Sequence, residues 1–64
     1  MKAIPTDVYD KDGNMTKIEV QTGLGEHLMD FLWDPLDEQT SENRIKFREC
    51  AYRLLKQKDY EVSK

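Results

Sequence analysis

The sequence predicts a small α+β fold in which an N-terminal β-hairpin packs on two α-helices, in the order ββαα. One pattern of alternating apolar residues around a glycine-containing turn predicts the hairpin, and two later segments with apolar residues at helical spacing predict the helices. The chain has 64 residues, so we expect a single domain over 1–64. A chain this short buries only about 60% of the surface that its unfolded form exposes. We therefore expect marginal stability and no cofactor.

The predicted hairpin covers residues 2–21. Ile4, Thr6 and Val8 alternate along the first segment, and Ile18 and Val20 alternate along the second. This spacing is expected of two strands that each bury one face. Between them, Asp10–Asn14 is rich in residues that favour tight turns, and Gly13 tolerates a positive φ. An isolated hairpin is marginal in water, so we expect its apolar face to pack on the helices.

The first helix is predicted over about 24–34. Four apolar residues recur at spacings of three and four, which sets them on one helical face: Leu24, Leu28, Phe31 and Leu32. The helix is expected to end near Asp34, because a residue that precedes a proline is disfavoured in the α region.

The second helix is predicted over about 41–58. Thr40 and Ser41 are suitable N-caps, and Glu42 favours the first turn because its charge complements the helix dipole. The apolar pattern continues along the segment through Ile45, Phe47, Ala51, Leu54 and Leu55.

Charge is distributed unevenly along the chain. Residues 1–42 carry three lysines and ten acids, a net charge of −7, whereas residues 43–64 carry seven bases and three acids, a net charge of +4. Within the acidic part, Glu26, Asp30 and Asp34 recur every four residues and would form an acidic stripe on the first helix. Either the basic second helix neutralises this stripe, or a basic partner does, including a DNA-binding protein whose groove the stripe would occupy.

The chain has more apolar side chains than one small core requires. Met29 and Trp33 fall on the flank of the first helix, and Ile45 and Tyr52 fall on the flank of the second. Trp, Tyr and Met are enriched at protein interfaces. The predicted partner-binding residues are therefore these four together with the acidic stripe: Met29, Trp33, Glu26, Asp30, Asp34, Ile45 and Tyr52. The alternative is that a thin core encloses Trp33.

The leading hypothesis is a non-enzymatic protein-binding module, a regulator, inhibitor or adaptor that docks the first helix on a partner protein. The size and acidity of the chain suit a small regulatory protein or a phage-type accessory protein. One alternative is a homodimer closed by the same face. A further alternative is nucleic-acid binding through Lys46, Arg53 and Lys56, although Glu49 lies among these bases and the net charge is −3.

We expect no catalytic residue and no metal site. Cys50 and His27 are the chain's single thiol and single imidazole, and no third group is specified to orient them as a catalytic pair. The hairpin turn resembles a calcium loop only in part, because aligning Gly13 with its invariant glycine sets Val8 where an oxygen ligand is required.

We expect a cytoplasmic protein without a membrane partner. No apolar run approaches the roughly 20 residues that span a bilayer, and the first residues lack the apolar core of a signal peptide. A single cysteine fits a reducing compartment.

Overall fold

In the computed structural model, which describes residues 1–63, one helix covers one face of a four-stranded sheet. The elements are β1 (Lys2–Tyr9), β2 (Met15–Thr22), β3 (His27–Leu32), α1 (Ser41–Gln57) and β4 (Glu61–Val62). The sheet has the order β3-β2-β1-β4, in which the first three strands are antiparallel and β4 is parallel to β1. The fold is α+β, but the predicted ββαα arrangement with two helices is wrong.

The predicted helix over 24–34 is wrong because this segment forms a loop and then β3. Gly25 adopts a positive φ of 86°, and the Thr22 N–H donates to the Glu26 carbonyl at 2.8 Å, which closes the loop. Beyond the loop, Met29 pairs with Val20 and Phe31 pairs with Ile18. A short apolar run fits either a strand or a helix by spacing alone, and here pairing with β2 decides between them.

The first two strands form the expected hairpin. They pair antiparallel from Ala3 with Thr22 to Tyr9 with Met15. In the turn, Gly13 has a φ of 83°, and the Asp10 carboxylate accepts hydrogen bonds from the Asp12 and Asn14 N–H groups, each at 2.9 Å. The side-chain bonds hold the turn in shape.

The core lies between β2, β1 and the inner face of α1. Five fully buried residues form it: Ala3, Ile18, Val20, Ala51 and Leu55. Half-buried side chains surround this cluster, including Phe47 of α1 and Tyr60 just before β4. The helix therefore lies on the sheet face that carries Ile18 and Val20, and the opposite face of the sheet carries no helix among residues 1–63.

An ion pair also connects the helix to the sheet. The Arg48 guanidinium on α1 binds both carboxylate oxygens of Asp7 on β1, with Nε and Oδ1 3.5 Å apart. The hydrogen bond that the Arg48 guanidinium donates to the Asp7 carboxylate raises the pKa of Arg48 above its ordinary value.

The second predicted helix is present as α1, with its ends defined by caps. The Thr40 hydroxyl accepts a hydrogen bond from the Asn43 N–H at 3.0 Å. At the other end, the Tyr60 N–H donates to the Leu55 carbonyl and the Asp59 N–H to the Lys56 carbonyl, at 3.1 and 3.0 Å. This is a Schellman motif.

Asp59 is poorly suited to its place in this motif. Its φ of 64° is a left-handed conformation that favours glycine, and its negative charge lies at the negative end of the helix dipole. We expect Asp59→Gly to raise the free energy of unfolding by about 0.5–1 kcal/mol, measured by urea denaturation. Asp59→Asn, which removes only the charge, is the matched control and should give a smaller gain. A loss of stability in Asp59→Gly would contradict this account of the cap.

Candidate functional site

Strand β3 forms one edge of the sheet and is less covered than its neighbour. The central strand β2 contains three fully buried side chains, those of Met15, Ile18 and Val20. In contrast, all six residues of β3 are half-buried or exposed, although four of them are apolar. Three of these four pack against the core from the side of the sheet, and Leu32 is exposed.

The register of β3 shows which backbone groups face outward. The Trp33 N–H donates to the Thr16 carbonyl of β2 at 3.0 Å. Residues in an antiparallel ladder alternate between bonding to the neighbour and pointing away from it. Asp30 and Leu32, which lie opposite Glu19 and Lys17, therefore direct their N–H and C=O groups away from β2. These groups form an open hydrogen-bonding edge.

Exposed leucines lie on β3 and in the loops at both of its ends. Leu24 before the strand is 90% exposed, Leu32 at its end is 74% exposed and Leu36 beyond it is 91% exposed. Together with the strand they line a surface that we call the β3 edge, residues 24–36. The strand itself is about 20 Å long. A concentration of exposed apolar side chains of this kind is typical of an interaction surface.

The sheet face without a helix carries a small charged cluster beside this edge. Asp30 lies 3.1 Å from the His27 ring nitrogen Nε2 and 3.8 Å from the Lys17 ammonium. Lys17 is also 3.7 Å from the Glu19 carboxylate, so that one ammonium group is shared between two acids. Asp30 therefore keeps part of its negative charge uncompensated beside the open backbone.

Trp33 ends the β3 ladder and has a fixed orientation. Its ring packs edge-on against Phe47, with 5.1 Å between ring centroids, and its indole N–H donates to the Asp37 carbonyl at 3.2 Å. The ring borders an open cleft of about 430 Å³ between the hairpin turn and the loop after β3. Eight residues line the cleft: Asp10, Asn14, Met15, Thr16, Trp33, Pro35, Asp37 and Gln39. Its lining therefore includes one aromatic residue, Trp33, and two acidic residues, Asp10 and Asp37.

The structure distributes the predicted partner-binding residues over two elements. Glu26, Met29, Asp30, Trp33 and Asp34 lie in or beside β3, whereas Ile45 and Tyr52 lie on α1. Within the first group, Met29 packs against the core and Asp30 lies on the opposite face of the sheet. The acids therefore do not form a helical stripe. Trp33 is half-buried against Phe47, Ile45 is 51% exposed and Tyr52 is half-buried.

Sequence reasoning missed Leu24, Leu32 and Leu36 as surface residues. Leu24 and Leu32 were assigned to the core face of a helix that does not form. A signal for Leu24 was present, because a leucine between two glycines is more typical of a turn than of a helix interior. Leu36 follows Pro35 in a loop and had a comparable signal.

The bases proposed for nucleic-acid binding do not form one free patch. Lys46 lies 3.2 Å from the Glu42 carboxylate, one turn earlier on α1. Arg53 and Lys56 are exposed on the same helix, as is Cys50. Over the part of the chain that the structure describes, no three potential metal ligands lie together.

Within residues 1–63, no helix has both the length and the apolar character needed to cross a membrane. No family model, curated protein or solved structure matches this chain.

Proposed function

We propose that the protein is a non-enzymatic protein-binding module that docks an extended segment of another protein along the β3 edge. The observation that supports it most is the open edge of β3, where outward backbone groups and half-buried apolar side chains occur on one strand. In strand addition, backbone hydrogen bonds give affinity and alternate side chains give specificity. A module of this kind regulates, inhibits or connects its partner by occupying a surface.

A comparison of the two sheet edges supports this proposal. Proteins protect edge strands with lysine, proline or a covering element, because an open edge pairs with other chains. At the β1 side, β4 pairs with Lys2 and Ala3, and Pro5 lies within the strand. The segment from His27 to Trp33 contains neither lysine, arginine nor proline. The β3 edge therefore lacks the lysine, the proline and the covering strand that the other edge has, although it carries Asp30 and an irregularity in its pairing with β2.

The non-enzymatic part of the proposal rests on the placement of the two most reactive side chains. His27 is hydrogen-bonded to Asp30 on the sheet face without a helix, and Cys50 is exposed on α1, which covers the other face. They therefore do not form a nucleophile and base pair. We propose the cytoplasm as the compartment, because an unpaired thiol such as that of Cys50 persists in a reducing environment.

Proline substitution at Leu32 tests the proposal. Leu32→Pro removes an outward N–H without removing a bond to β2, whereas Leu32→Ala removes the side chain and keeps the N–H. Labelled wild type and both variants are applied to an array of decapeptides in which apolar residues alternate with basic, neutral or acidic ones. We expect at least one class of peptide to bind wild type and Leu32→Ala and to lose binding to Leu32→Pro by a factor of at least about 30.

Circular dichroism and thermal melts of the three proteins show whether each remains folded. Binding by none of the peptide classes, or equal binding by a folded Leu32→Pro, would overturn strand addition at this edge. If Leu32→Pro does not fold, Leu32→Lys is used in its place, because a charged lysine on an edge strand also disfavours pairing.

A further inference from the structure

We propose that the segment docked on the β3 edge is basic, with lysine or arginine alternating with apolar residues; this inference rests on the proposed function. The β3 edge and the two residues that follow it contain five acids and neither lysine nor arginine. Glu26, Asp30 and Asp34 lie within the edge, and Asp37 and Glu38 lie just beyond it. A surface of one sign attracts partners of the opposite sign and disfavours those of the same sign.

The protein's own bases leave most of this charge uncompensated. Among residues 1–63, Asp30 is the acid of this segment that forms ion pairs, and it shares Lys17 with Glu19. Asp34 uses its carboxylate to accept the Leu36 N–H at 2.9 Å, which shapes the loop without neutralising the charge. The basic residues of α1 lie on a different element, where Lys46 pairs with Glu42 and Arg48 pairs with Asp7. An incoming cation therefore finds unpaired carboxylates along the edge.

The faces of β3 determine the pattern of the docked segment. Met29 and Phe31 pack toward the core side of the sheet, and Asp30 lies on the other side. Side chains on an added strand alternate in the same way. A residue that faces Asp30 should therefore be basic, and its two neighbours should be apolar to contact Met29 and Phe31.

The cleft beside Trp33 can accept a further basic side chain. Asp10 and Asp37 are among the residues that line it, and within residues 1–63 neither forms an ion pair, although the Asp10 carboxylate accepts two N–H groups of the hairpin turn. The Trp33 ring is held by Phe47 and by its bond to the Asp37 carbonyl, so that an aromatic face is fixed beside these acids. Lysine and arginine bind favourably over tryptophan rings. The cleft thus extends the same charge preference beyond the end of β3.

Charge also favours a basic segment over a second copy of this chain. A twofold antiparallel pairing centred on Asp30 would set Met29 opposite Phe31, which suits these two apolar residues. The same register sets Asp30 directly opposite its symmetry mate, and like charges in that position are destabilising. Arginine or lysine at this position removes the repulsion.

The test measures the affinity of three hexapeptides by calorimetry at low salt. Each alternates valine with one other residue: arginine, serine or glutamate. We expect the arginine peptide to bind at least about tenfold more tightly than the serine peptide, and the glutamate peptide to bind more weakly than both. The preference should fall to within about threefold at 0.5 M salt, because screening is strong there.

Two variants test which acidic residues cause the preference for the arginine peptide. The double variant Asp30→Asn with Asp37→Asn should reduce the preference for arginine to within about threefold, whereas Asp12→Asn in the hairpin turn should leave it unchanged. Equal affinities for all three peptides that are still lost in Leu32→Pro would overturn the basic partner and leave strand addition intact. Binding of none of them would overturn the proposed function itself. Concentration-dependent dimers in sedimentation, abolished by Leu32→Pro, would show that a second copy occupies the edge and would also overturn the inference.

Discussion

Leu55→Ala is expected to lower the free energy of unfolding by about 3 kcal/mol. Leu55 has no exposed surface and packs with Ile18 and Val20 of β2 in the core cluster. Truncation removes buried apolar contacts and leaves a cavity that the surrounding strands fill only in part. A chain of this length has a total stability of about 3–10 kcal/mol. The variant should therefore lose between about a third and all of the stability of the fold.

Urea denaturation followed by circular dichroism measures this effect, and the preceding residue provides a matched control. Leu54 is 37% exposed on the same turn of α1, so Leu54→Ala should cost less than about 1 kcal/mol. The difference between Leu55→Ala and Leu54→Ala tests which face of α1 packs on the sheet. Similar losses in both variants would mean that the helix presents a different face to the sheet.

Gln39→Ala is expected to cost about 2 kcal/mol, although Gln39 lies in a loop. Its side-chain amide makes two hydrogen bonds to the backbone of Met15: Nε2 donates to the carbonyl at 2.9 Å, and Oε1 accepts from the N–H at 3.0 Å. Met15 is fully buried, so its backbone groups would lose these partners without gaining water. The Gln39 amide therefore makes the two backbone hydrogen bonds that a neighbouring strand would make with β2 at Met15.

Thermal unfolding measures the loss, and Gln21→Ala is the matched control. The Gln21 side chain bonds only to the Glu19 carboxylate at 3.2 Å among the described residues, so its removal should cost less than about 0.5 kcal/mol. Gln39→Glu keeps an acceptor and loses the donor, and it should fall between the other two. A Gln39→Ala variant as stable as Gln21→Ala would show that the Met15 groups find other partners.

The sole tryptophan, Trp33, should also become more exposed to solvent in Gln39→Ala. Its fluorescence spectrum reports this change.

Local signals in the sequence were sufficient to predict the hairpin and α1. The turn conformation is determined by Gly13 and by the Asp10 side chain, and the start of the helix is determined by the Thr40 cap. Each of these interactions joins residues that are close together in the sequence. β3 lacks a comparable local signal. Leu28, Phe31 and Leu32 satisfy a helical spacing, and only the long-range pairing of Phe31 with Ile18 and Met29 with Val20 makes the segment a strand.

The sequence predicts partner binding by residues around Met29 and Trp33, but it does not predict where the fold places them. A helix over 24–34 would have directed Glu26, Asp30 and Asp34 to one side, whereas only Asp30 lies within β3 and Met29 packs against the core. The open backbone of an edge strand has no signal in the periodicity of side chains. The bond from Gln39 to Met15 spans 24 residues and had no local signal either.

The pairing of β4 with β1 determines where a fusion partner would emerge. The Glu61 N–H donates to the Met1 carbonyl at 3.0 Å and the Ser63 N–H donates to the Ala3 carbonyl at 2.9 Å, so that residues 1 and 63 lie close together. Residue 1 precedes β1 and residue 63 follows β4, which lie two and three strand spacings from β3, or about 10 and 14 Å. Two copies joined tail to head by a flexible linker would therefore both keep their β3 edges accessible, and such a tandem protein should bind an array of repeated peptides with avidity well above that of either copy alone.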